Sequence, residues 1–421
     1  MLSLRARLGA AAALWRQFAY IQSKQAACFS DDSRPNGVTF GLTSDQQDFK
    51  VIADDFARKE LLPFAARWDV EKHFPVDKLR AAAELGFGGI LVSDDVGGSA
   101  LGRADAAVIF EALAYGDISV TAYLTIHNMV ANCIDKFGTQ EQRQQYLPQL
   151  TCMETLASYC LSEPGSGSDA ASLRTIAKRD GDDYILNGAK AFISGGGVSD
   201  LYLVMARTGQ PGSKGISAFL VEKGMAGLSF GKAEEKLGWN AQPTCAVMMD
   251  NVRVPVASLL GSEGKGFNIA MNALNGGRIN IASCSVGGAQ FCTDVALDYV
   301  QSRHQFGKPI GTFQNTEFKL ADMATAVHAS RVMVRHAAQA LDCEASSATM
   351  DAAMAKRFAS DMCFKVADDA LQLHGGYGYL KDYPVERVLR DLRVHSILEG
   401  TNEVMRMIIA REMQKQQASK V

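Results

Sequence analysis

A glycine-rich run is the first stretch of this 421-residue sequence whose residue types could do chemistry. Gly165-Ser166-Gly167-Ser168-Asp169-Ala170 fits the pattern G-x-G-x-x-A, which binds dinucleotides when a strand precedes it and a helix follows. Pro164 stands directly before the run and strand-like segments follow it, so an NAD-binding βαβ unit is disfavoured but stays an alternative. Glycine and serine at this density let a backbone approach a ligand closely and offer small hydroxyl donors. We therefore predict a ligand-facing loop.

A second candidate is the acid of Glu399-Gly400-Thr401. A carboxylate can remove a proton from carbon when a closed, dry site raises its pKa toward the working pH. The alternative is structural, since an acid just ahead of a helix that starts near Asn402 is favoured by the helix dipole. Residue types alone leave both interpretations open.

The pair Gly276-Gly277, followed by Arg278, stands within a predicted helix. Each glycine there lowers the stability of the helix by roughly 1 kcal/mol relative to alanine, so the pair requires an explanation. Close approach of a ligand is one reason and tight helix packing is another. Arg278 is either a solvated or ion-paired side chain, or part of the same site.

Composition excludes several other classes of protein. Lys and Arg total 43 against 46 Asp and Glu, a formal net charge of -3, so a globally basic nucleic-acid binder is not expected. No apolar run approaches the ~20 residues of a membrane span. The 9 cysteines form no CxxC pair and the 7 histidines no HExxH motif, so we predict reduced thiols and no metal site. A G-x-x-x-x-G-K-[ST] phosphate-binding loop is also absent.

The N-terminal segment has its own composition. Arg5, Arg7, Arg16 and Lys24 occur before the first acid, Asp31, among apolar, Ser and Ala residues. A basic, acid-poor, amphipathic leader is typical of a mitochondrial presequence. We predict a transit peptide over residues 1–38 and a location in the mitochondrial matrix; a disordered tail is the alternative.

Three regions of different periodicity follow, which predicts an α+β protein. Residues 39–155 are helical: Thr43 and Gln46 form a capping-box pattern, and further helices are expected near 76–85, 103–115, 120–137 and 139–150. Residues 156–263 are predicted to form an antiparallel β domain, with strands at Tyr184-Ile185-Leu186, Leu201–Val204, Ile216–Val221 and Val247-Met248-Met249. Residues 264–421 are predicted to form a four-helix bundle.

Two stripes of the last region are predicted to form helix core. The first steps alternately by three and four, through Leu320, Met323, Val327, Ser330, Val334, Ala337 and Leu341. The second steps by four, through Met354, Phe358, Met362, Val366 and Ala370.

Three motifs resemble signatures of the acyl-CoA dehydrogenase flavoproteins. They are Cys160–Asp169, then Gln372–Tyr379 continuing to Asp382, Arg387 and Asp391, and finally Glu399-Gly400-Thr401. Their order and spacing agree with that family over roughly 40–415, and the α–β–α order is also the family's.

The resemblance implies oxidation of an acyl-CoA thioester to its α,β-unsaturated product with FAD as cofactor. Glu399 would be the base that removes the C2 proton, while C3 delivers hydride to the flavin. A backbone N–H of the base and a flavin ribityl hydroxyl would polarise the thioester carbonyl. Some members carry their base immediately before an arginine of a C-terminal helix. Gly277 occupies that position here and has no acidic side chain, which favours Glu399 as the base.

Site residues also follow from the resemblance. The substrate-binding residues would be Ser168, Asn275, Gly276, Gly277, Arg278 and Arg411. The wall along the flavin and pantetheine would be Tyr159, Cys160, Leu161, Ser162, Glu163, Pro164, Gly165, Ser166, Gly167 and Ser168. Phe192, Ile193 and Ser194 would pack on the isoalloxazine ring, with Phe where many relatives have Trp. Other FAD contacts would be Arg303, Phe313, Gln314, Gln372, Leu373, His374, Gly375, Gly376, Thr401, Asn402 and Glu403.

The resemblance further implies partners. Arg303, Phe313, Gln314 and Gln372–Gly376 reach a neighbouring subunit's flavin in the family, which implies a homo-oligomer, usually a tetramer. Electron-transfer flavoprotein would be the electron acceptor, and neither a nucleic acid nor a membrane span is expected.

Three segments narrow the expected substrate. Thr125–Met129, Leu274–Ser285 and Tyr379–Tyr383 are most similar to members that act on short branched acyl groups. Isobutyryl-CoA of valine catabolism, giving methacrylyl-CoA, is the expected substrate; 2-methylbutyryl-CoA and butyryl-CoA stay open because one methylene discriminates weakly. A non-catalytic scaffold relative is a further alternative, which the intact Glu399 argues against.

Overall fold

The N-terminal region is helical, as predicted. The computed structural model describes residues 41–418, so the predicted leader, residues 1–38, lies outside the described residues. The helices are α1 (Ser44–Phe56), which continues as a π-helical turn over Ala57–Leu61, α2 (Ala65–Glu71), α3 (Val76–Glu84), α4 (Arg103–Gly116), α5 (Ile118–Phe137) and α6 (Gln140–Thr151). The predicted capping box is confirmed: Gln46 N donates to Thr43 Oγ1 and Thr43 N donates to Gln46 Oε1, both at 3.2 Å.

The middle region is a β domain. Its strands are β1 (Ala157–Cys160), β2 (Ile176–Asp180), β3 (Asp183–Ser194), β4 (Leu201–Arg207), β5 (Ile216–Glu222), β6 (Leu228–Phe230), β7 (Thr244–Pro255) and β8 (Leu259–Leu260). The strand order is β6-β7-β3-β2-β4-β5-β8, with β1 added against β4. The four strands predicted from apolar runs are confirmed within β3, β4, β5 and β7.

Most strand pairs are antiparallel, as predicted, but two are parallel. β1 pairs with β4 from Ala157–Leu201 to Cys160–Val204, and β2 meets β4 at Ile176–Arg207. The chain between β1 and β4 contains the β2–β3 hairpin, and a connection of that length lets the chain return in the same direction. β1 therefore enters the sheet directly from the helical region and leaves it at the glycine-rich run.

The C-terminal region contains the longest helices. They are α7 (Gly266–Ser302), α8 (Gln314–Asp342), α9 (Ala348–His374), α10 (Val385–Arg393) and α11 (Asn402–Ala418), with a short ribbon of β9 (His304–Gln305) and β10 (Lys308–Pro309) after α7. α7, α8 and α9 pack on one another, α11 packs on α9, and α4 packs on α7. The two helical regions thus share one hydrophobic core.

The two predicted core stripes have different outcomes. In α8 the alternating stripe is confirmed, since Met323, Val327, Ser330, Val334 and Ala337 are all buried. In α9 only the last two members of the four-step stripe, Val366 and Ala370, are fully buried, whereas Met354, Phe358 and Met362 are partly exposed. A strict step of four drifts by about 40° per step on a helix of 3.6 residues per turn, so such a run leaves the buried face.

Buried polar contacts join the three regions near the end of the second motif. Asp391 in α10 accepts a hydrogen bond from Trp239 N of the β domain at 2.5 Å. Arg390 donates to both oxygens of Asp69 in α2, at 3.0 and 2.7 Å. Removing the β domain would leave the buried Asp391 without this backbone donor, and removing the N-terminal region would leave Arg390 without Asp69. No helix among residues 41–418 is long and apolar enough to cross a membrane.

Candidate active site

The predicted base lies on a strained turn between α10 and α11. Glu399 and Gly400 both adopt left-handed backbone conformations, with φ of 56° and 90°. Glycine adopts this conformation freely, but a glutamate does so at a cost of roughly 1–2 kcal/mol. The turn directs the Glu399 side chain onto the middle of α7. Thr401 then caps α11 by accepting a hydrogen bond from Val404 N at 3.2 Å.

The glycine pair of α7 provides space for two side chains. A Cβ at Gly277 would lie 2.4 Å from Glu399 Oε2, and one at Gly276 would lie 2.5 Å from Arg103 Nη1. Both separations are far below ordinary van der Waals contact. Gly277 is therefore required by the position of the predicted base, and Gly276 by a buried guanidinium.

Burial raises the pKa of Glu399 to about 7, against the lowering effects of Arg278 and Lys356. Its Oε2 atom is buried and has no hydrogen-bond partner within residues 41–418. A carboxylate of this kind binds a proton far more readily than an exposed one and is still ionised in part at neutral pH. These are the properties that a general base requires.

Arg278 is buried rather than solvated; that it binds the substrate stays a prediction. Its side chain is 4% exposed, its Nε donates to Glu399 O at 3.3 Å, and its Nη1 donates to Asn275 Oδ1 at 2.7 Å. Arg411 of α11 is exposed, but it is close enough to lower the pKa of Arg278. Of the predicted substrate residues, Gly277 and Arg278 thus adjoin Glu399, and Asn275 contacts Arg278. Ser168 lies on the glycine-rich loop of the β domain.

One functional residue was missed at the sequence level. Lys356 of α9 is completely buried, and its Nζ donates to Gly400 O at 2.8 Å and to Asn402 Oδ1 at 2.9 Å. Asn402 Nδ2 donates to Ser360 Oγ at 2.9 Å and to Asp361 Oδ1 at 2.7 Å. The side chain of Asn402, predicted to contact FAD, is therefore engaged in protein contacts, while Glu403 beside it is exposed.

The glycine-rich run forms an open loop after β1. Glu163 and Ser166 exchange backbone hydrogen bonds of 2.9 and 3.1 Å, which closes a tight turn. Pro164, Gly165, Gly167 and Ser168 are exposed, and no atom lies within 4 Å of a Cβ built at either glycine. Only a 3₁₀ turn, Ala170–Ser172, follows before β2, so the helix of an NAD fingerprint is missing here.

The side chains of this stretch pack into two hydrophobic cores. Cys160 belongs to the core within the β domain, and Leu161 belongs to the core between that domain and the helices. Tyr159 packs against the same core as Leu161, and its hydroxyl is buried without a hydrogen-bond partner in the described part of the chain. Burial, and then Cys133 and Glu399, raise the pKa of Tyr159 well above its usual value.

Glu163 has a structural role in this loop. Its carboxylate accepts hydrogen bonds from Lys190 Nζ at 2.8 Å, Arg174 N at 2.6 Å and Thr175 N at 2.9 Å. Lys190 and Glu163 form an ion pair with side chains 0% and 6% exposed. Both carboxylate oxygens thus accept hydrogen bonds from the protein, which gives Glu163 a structural role in the loop; that it also contacts FAD stays a prediction.

We expect Glu163→Gln to lower the free energy of unfolding by roughly 3–5 kcal/mol, because it leaves Lys190 charged and buried without its anionic partner. Thermal denaturation followed by circular dichroism measures this as a fall in Tm. Glu60→Gln is the matched control, since Glu60 pairs with Lys78 at 2.7 Å but is 42% exposed. An exposed pair contributes about 0–1 kcal/mol, so equal effects of the two variants would contradict the prediction.

Phe192, Ile193 and Ser194 lie at the end of β3, where the register with β7 shifts. Phe192 has a φ of 60° and its ring is 72% exposed, although a phenyl group is normally buried. Ile193 is buried beneath it, and Ser194 Oγ accepts a hydrogen bond from Gln242 Nε2 at 3.3 Å. The irregular strand thus presents a flat aromatic surface beside an anchored hydroxyl.

The remaining predicted FAD residues lie at the other end of the C-terminal region. Arg303, Leu373, His374, Gly375 and Gly376 line a cleft of about 390 Å³, with Gln372 exposed beside it. Phe313 and Gln314 begin α8 nearby. Arg303 follows Gly277 by 26 residues, about 39 Å along a helix that rises 1.5 Å per residue. One subunit therefore does not bring this group together with Glu399. No cluster that could hold a metal ion occurs among residues 41–418.

Comparison with known proteins agrees with this fold. Models of the acyl-CoA dehydrogenase family match the chain in order: the N-terminal domain at residues 43–154, the middle domain at 158–252 and the C-terminal domain at 264–414. The chain belongs to the acyl-CoA dehydrogenase family, a family of flavoproteins, and it is an enzyme that dehydrogenates acyl-CoA.

Individual relatives are more specific. The chain is 63% identical over 376 residues to mitochondrial isobutyryl-CoA dehydrogenase of Dictyostelium discoideum, covering 89% of this chain and 90% of the relative. It is 57% identical to the enzyme of the same name from Bos taurus, again covering 89% and 90%. Butyryl-CoA dehydrogenase from Megasphaera elsdenii has the same fold, with a TM-score of 0.86 and 39% identity over 89% of this chain and 99% of that one.

Proposed function

We propose that this enzyme converts isobutyryl-CoA to methacrylyl-CoA in valine catabolism in the mitochondrial matrix, with Glu399 as the base. The observation that carries the chemistry is the unpartnered Glu399 carboxylate above Gly277, with its pKa raised to about 7. The choice of acyl group is supported by the names of the two relatives that are 63% and 57% identical. The alternatives are 2-methylbutyryl-CoA and butyryl-CoA.

Several residues of the β domain fit a flavin. The exposed Phe192 ring, the open Gly165-Gly167 backbone and the unpartnered Tyr159 hydroxyl offer a stacking surface, room for close approach and a buried donor. FAD, when bound, supplies a hydride acceptor for C3 of the substrate. Ser162, Ser194 and Thr401 are proposed to hydrogen-bond the cofactor. The cleft at Arg303 and Gly375 is proposed to hold the FAD of a neighbouring subunit in a homotetramer.

Glu399 is proposed to take the C2 proton onto its unpartnered Oε2. Arg278 holds the backbone of Glu399 through the hydrogen bond to its carbonyl, which limits movement of the base. The Glu399 N–H is proposed to donate to the thioester carbonyl, as the family resemblance implies. Such a donor contributes roughly 3–4 kcal/mol to transition-state stabilisation in acyl-transfer enzymes. Electron-transfer flavoprotein is proposed as the electron acceptor.

Substrate choice is tested by kcat/KM for isobutyryl-CoA, 2-methylbutyryl-CoA and butyryl-CoA with a common electron acceptor. We expect isobutyryl-CoA to be preferred over 2-methylbutyryl-CoA by about 10-fold or more, because one methylene in a fitted pocket changes the free energy by about 1–3 kcal/mol. Butyryl-CoA is an isomer of isobutyryl-CoA, so its kcat/KM measures the preference for a branched acyl chain. A higher kcat/KM for either competitor would assign the enzyme to that substrate instead. Glu399→Gln supplies the background rate for all three.

A further inference from the structure

Lys356 is a buried cation that has no assigned role in the proposed dehydrogenation. It lies on α9, its side chain is 0% exposed, and both acceptors of its ammonium group, Gly400 O and Asn402 Oδ1, are neutral. An ammonium group that is removed from water loses several kcal/mol of hydration, and neutral oxygens recover less of it than a carboxylate does. A methionine or leucine would fill the same core position without this cost. We therefore expect the charge of Lys356 to have a function at the Glu399 turn.

The Glu399 turn is held by two cations from two different helices. Arg278 of α7 donates to Glu399 O at 3.3 Å, and Lys356 of α9 donates to Gly400 O at 2.8 Å. These are the carbonyls of the two consecutive left-handed residues, with φ of 56° and 90°. A strained conformation persists only where its surroundings over-determine it. Lys356 binds the carbonyl of the second of the two left-handed residues directly.

We propose that Lys356 is a positioning residue for the dehydrogenation: it holds the Glu399-Gly400 turn in its left-handed form and keeps the Glu399 carboxylate ionised. The inference rests on the proposed role of Glu399 as base. Lys356 itself is enclosed by α9 and the turn, so it acts through Glu399 and does not contact the substrate.

The charged groups around the turn predict how the activity of the enzyme depends on pH. Burial raises the pKa of Glu399, and Arg278 from α7 and Lys356 from α9 both lower it. Burial is also the main cause that raises the pKa of Tyr159 in β1, and Glu399 adds to that rise. Burial lowers the pKa of Lys356 to about 8; Glu399, Asp361 and Glu403 oppose that shift and Arg278 adds to it. The base must be ionised to accept a proton, so activity falls as the pH drops through the pKa of Glu399. Loss of Lys356 raises that pKa and moves the acid limb to higher pH.

The test compares Lys356→Met and Lys356→Gln in the FAD-loaded enzyme. Methionine fills the space without charge or donor, and glutamine keeps a donor for Gly400 O without charge. We expect Lys356→Met to lose roughly 10- to 100-fold in kcat with KM little changed, as for loss of a hydrogen bond to a charged group. Both variants should shift the acid limb of the kcat/KM profile upward, and glutamine should retain the higher kcat.

Two further measurements separate positioning from mere stability. Infrared titration of the Glu399 carboxyl group, with Glu399→Gln as the blank, reports its pKa independently of turnover. Ser360→Ala is the control, because it removes another hydrogen bond to Asn402 and leaves Lys356 on Gly400 O. We expect it to lower Tm and leave both the pH profile and the carboxyl titration unchanged.

The outcomes are distinct. An upward shift of the acid limb and of the Glu399 titration in both Lys356 variants supports the proposal. An unchanged titration, with activity lost only in proportion to Tm or FAD content, overturns it. If Glu399→Gln retains turnover, the proposed base is wrong and the Lys356 assignment falls with it. If Glu399→Gln is inactive but the Lys356 variants titrate normally, only the Lys356 assignment is wrong.

Discussion

Glu399→Gln is expected to reduce kcat by about 100- to 10,000-fold, the usual contribution of a positioned general base. Glutamine has nearly the same shape and keeps the turn, but its amide is not basic enough to accept a proton from carbon. The buried Oε2 of Glu399 has no hydrogen-bond partner within residues 41–418, so the substitution breaks no protein contact at that atom. The variant should therefore keep its Tm and its FAD. Steady-state turnover of isobutyryl-CoA with an electron acceptor measures the loss.

A matched control tests whether the loss of any carboxylate is sufficient to reduce turnover. Glu84 is exposed at the end of α3, so Glu84→Gln should leave turnover and Tm unchanged. Flavin absorbance of the purified variants separates loss of chemistry from loss of cofactor. Turnover near that of the unsubstituted enzyme in Glu399→Gln would remove Glu399 from the role of base. Inactivity together with loss of FAD would assign Glu399 to cofactor binding instead.

The sequence predicted the parts of this site that lie in short motifs. Glu399, the pair Gly276-Gly277 and Arg278 were all identified as candidates, and the structure brings them together. The alternation of helical and strand periodicity also predicted the three regions in order. These features are local, because a motif or a stripe is contained within one element.

The features that sequence reasoning missed depend on contacts between distant elements. Lys356 is 43 residues from Glu399, and the stripe placed through Met354 and Phe358 passes to one side of it. The buried face of α9 instead includes Ala352, Lys356, Ala359 and Cys363. Alanine is only weakly hydrophobic, so a lysine among alanines is predicted to lie on a solvent-exposed face of a helix. The ion pair of Glu163 with Lys190 was missed for a similar reason, because Lys190 lies on β3, 27 residues further along the chain.

Gly277→Ala is expected to reduce kcat by about 100-fold while the protein stays folded. The added Cβ would lie 2.4 Å from Glu399 Oε2, whereas ordinary contacts begin at 3.4 Å, so the carboxylate must move by about 1 Å. A displacement of that size at a reacting group costs about 100-fold in rate. Alanine also has the higher helix propensity, by about 1 kcal/mol, which favours α7 itself. The loss therefore falls on catalysis rather than on stability, and kcat together with Tm measures both.

Gly288→Ala is the control for a methyl group added to the same helix. Its Cβ would lie 2.5 Å from Ile118 Cδ1, so it crowds the core and not the base. We expect it to lower Tm by overpacking and to keep kcat, the opposite of Gly277→Ala. A Gly277→Ala enzyme with unchanged kcat would show that the carboxylate acts from another position than the one above Gly277. Gly277 lowers the stability of α7 and leaves room for the Glu399 carboxylate. The two variants therefore test whether α7 is less stable at this position because catalysis requires a glycine there.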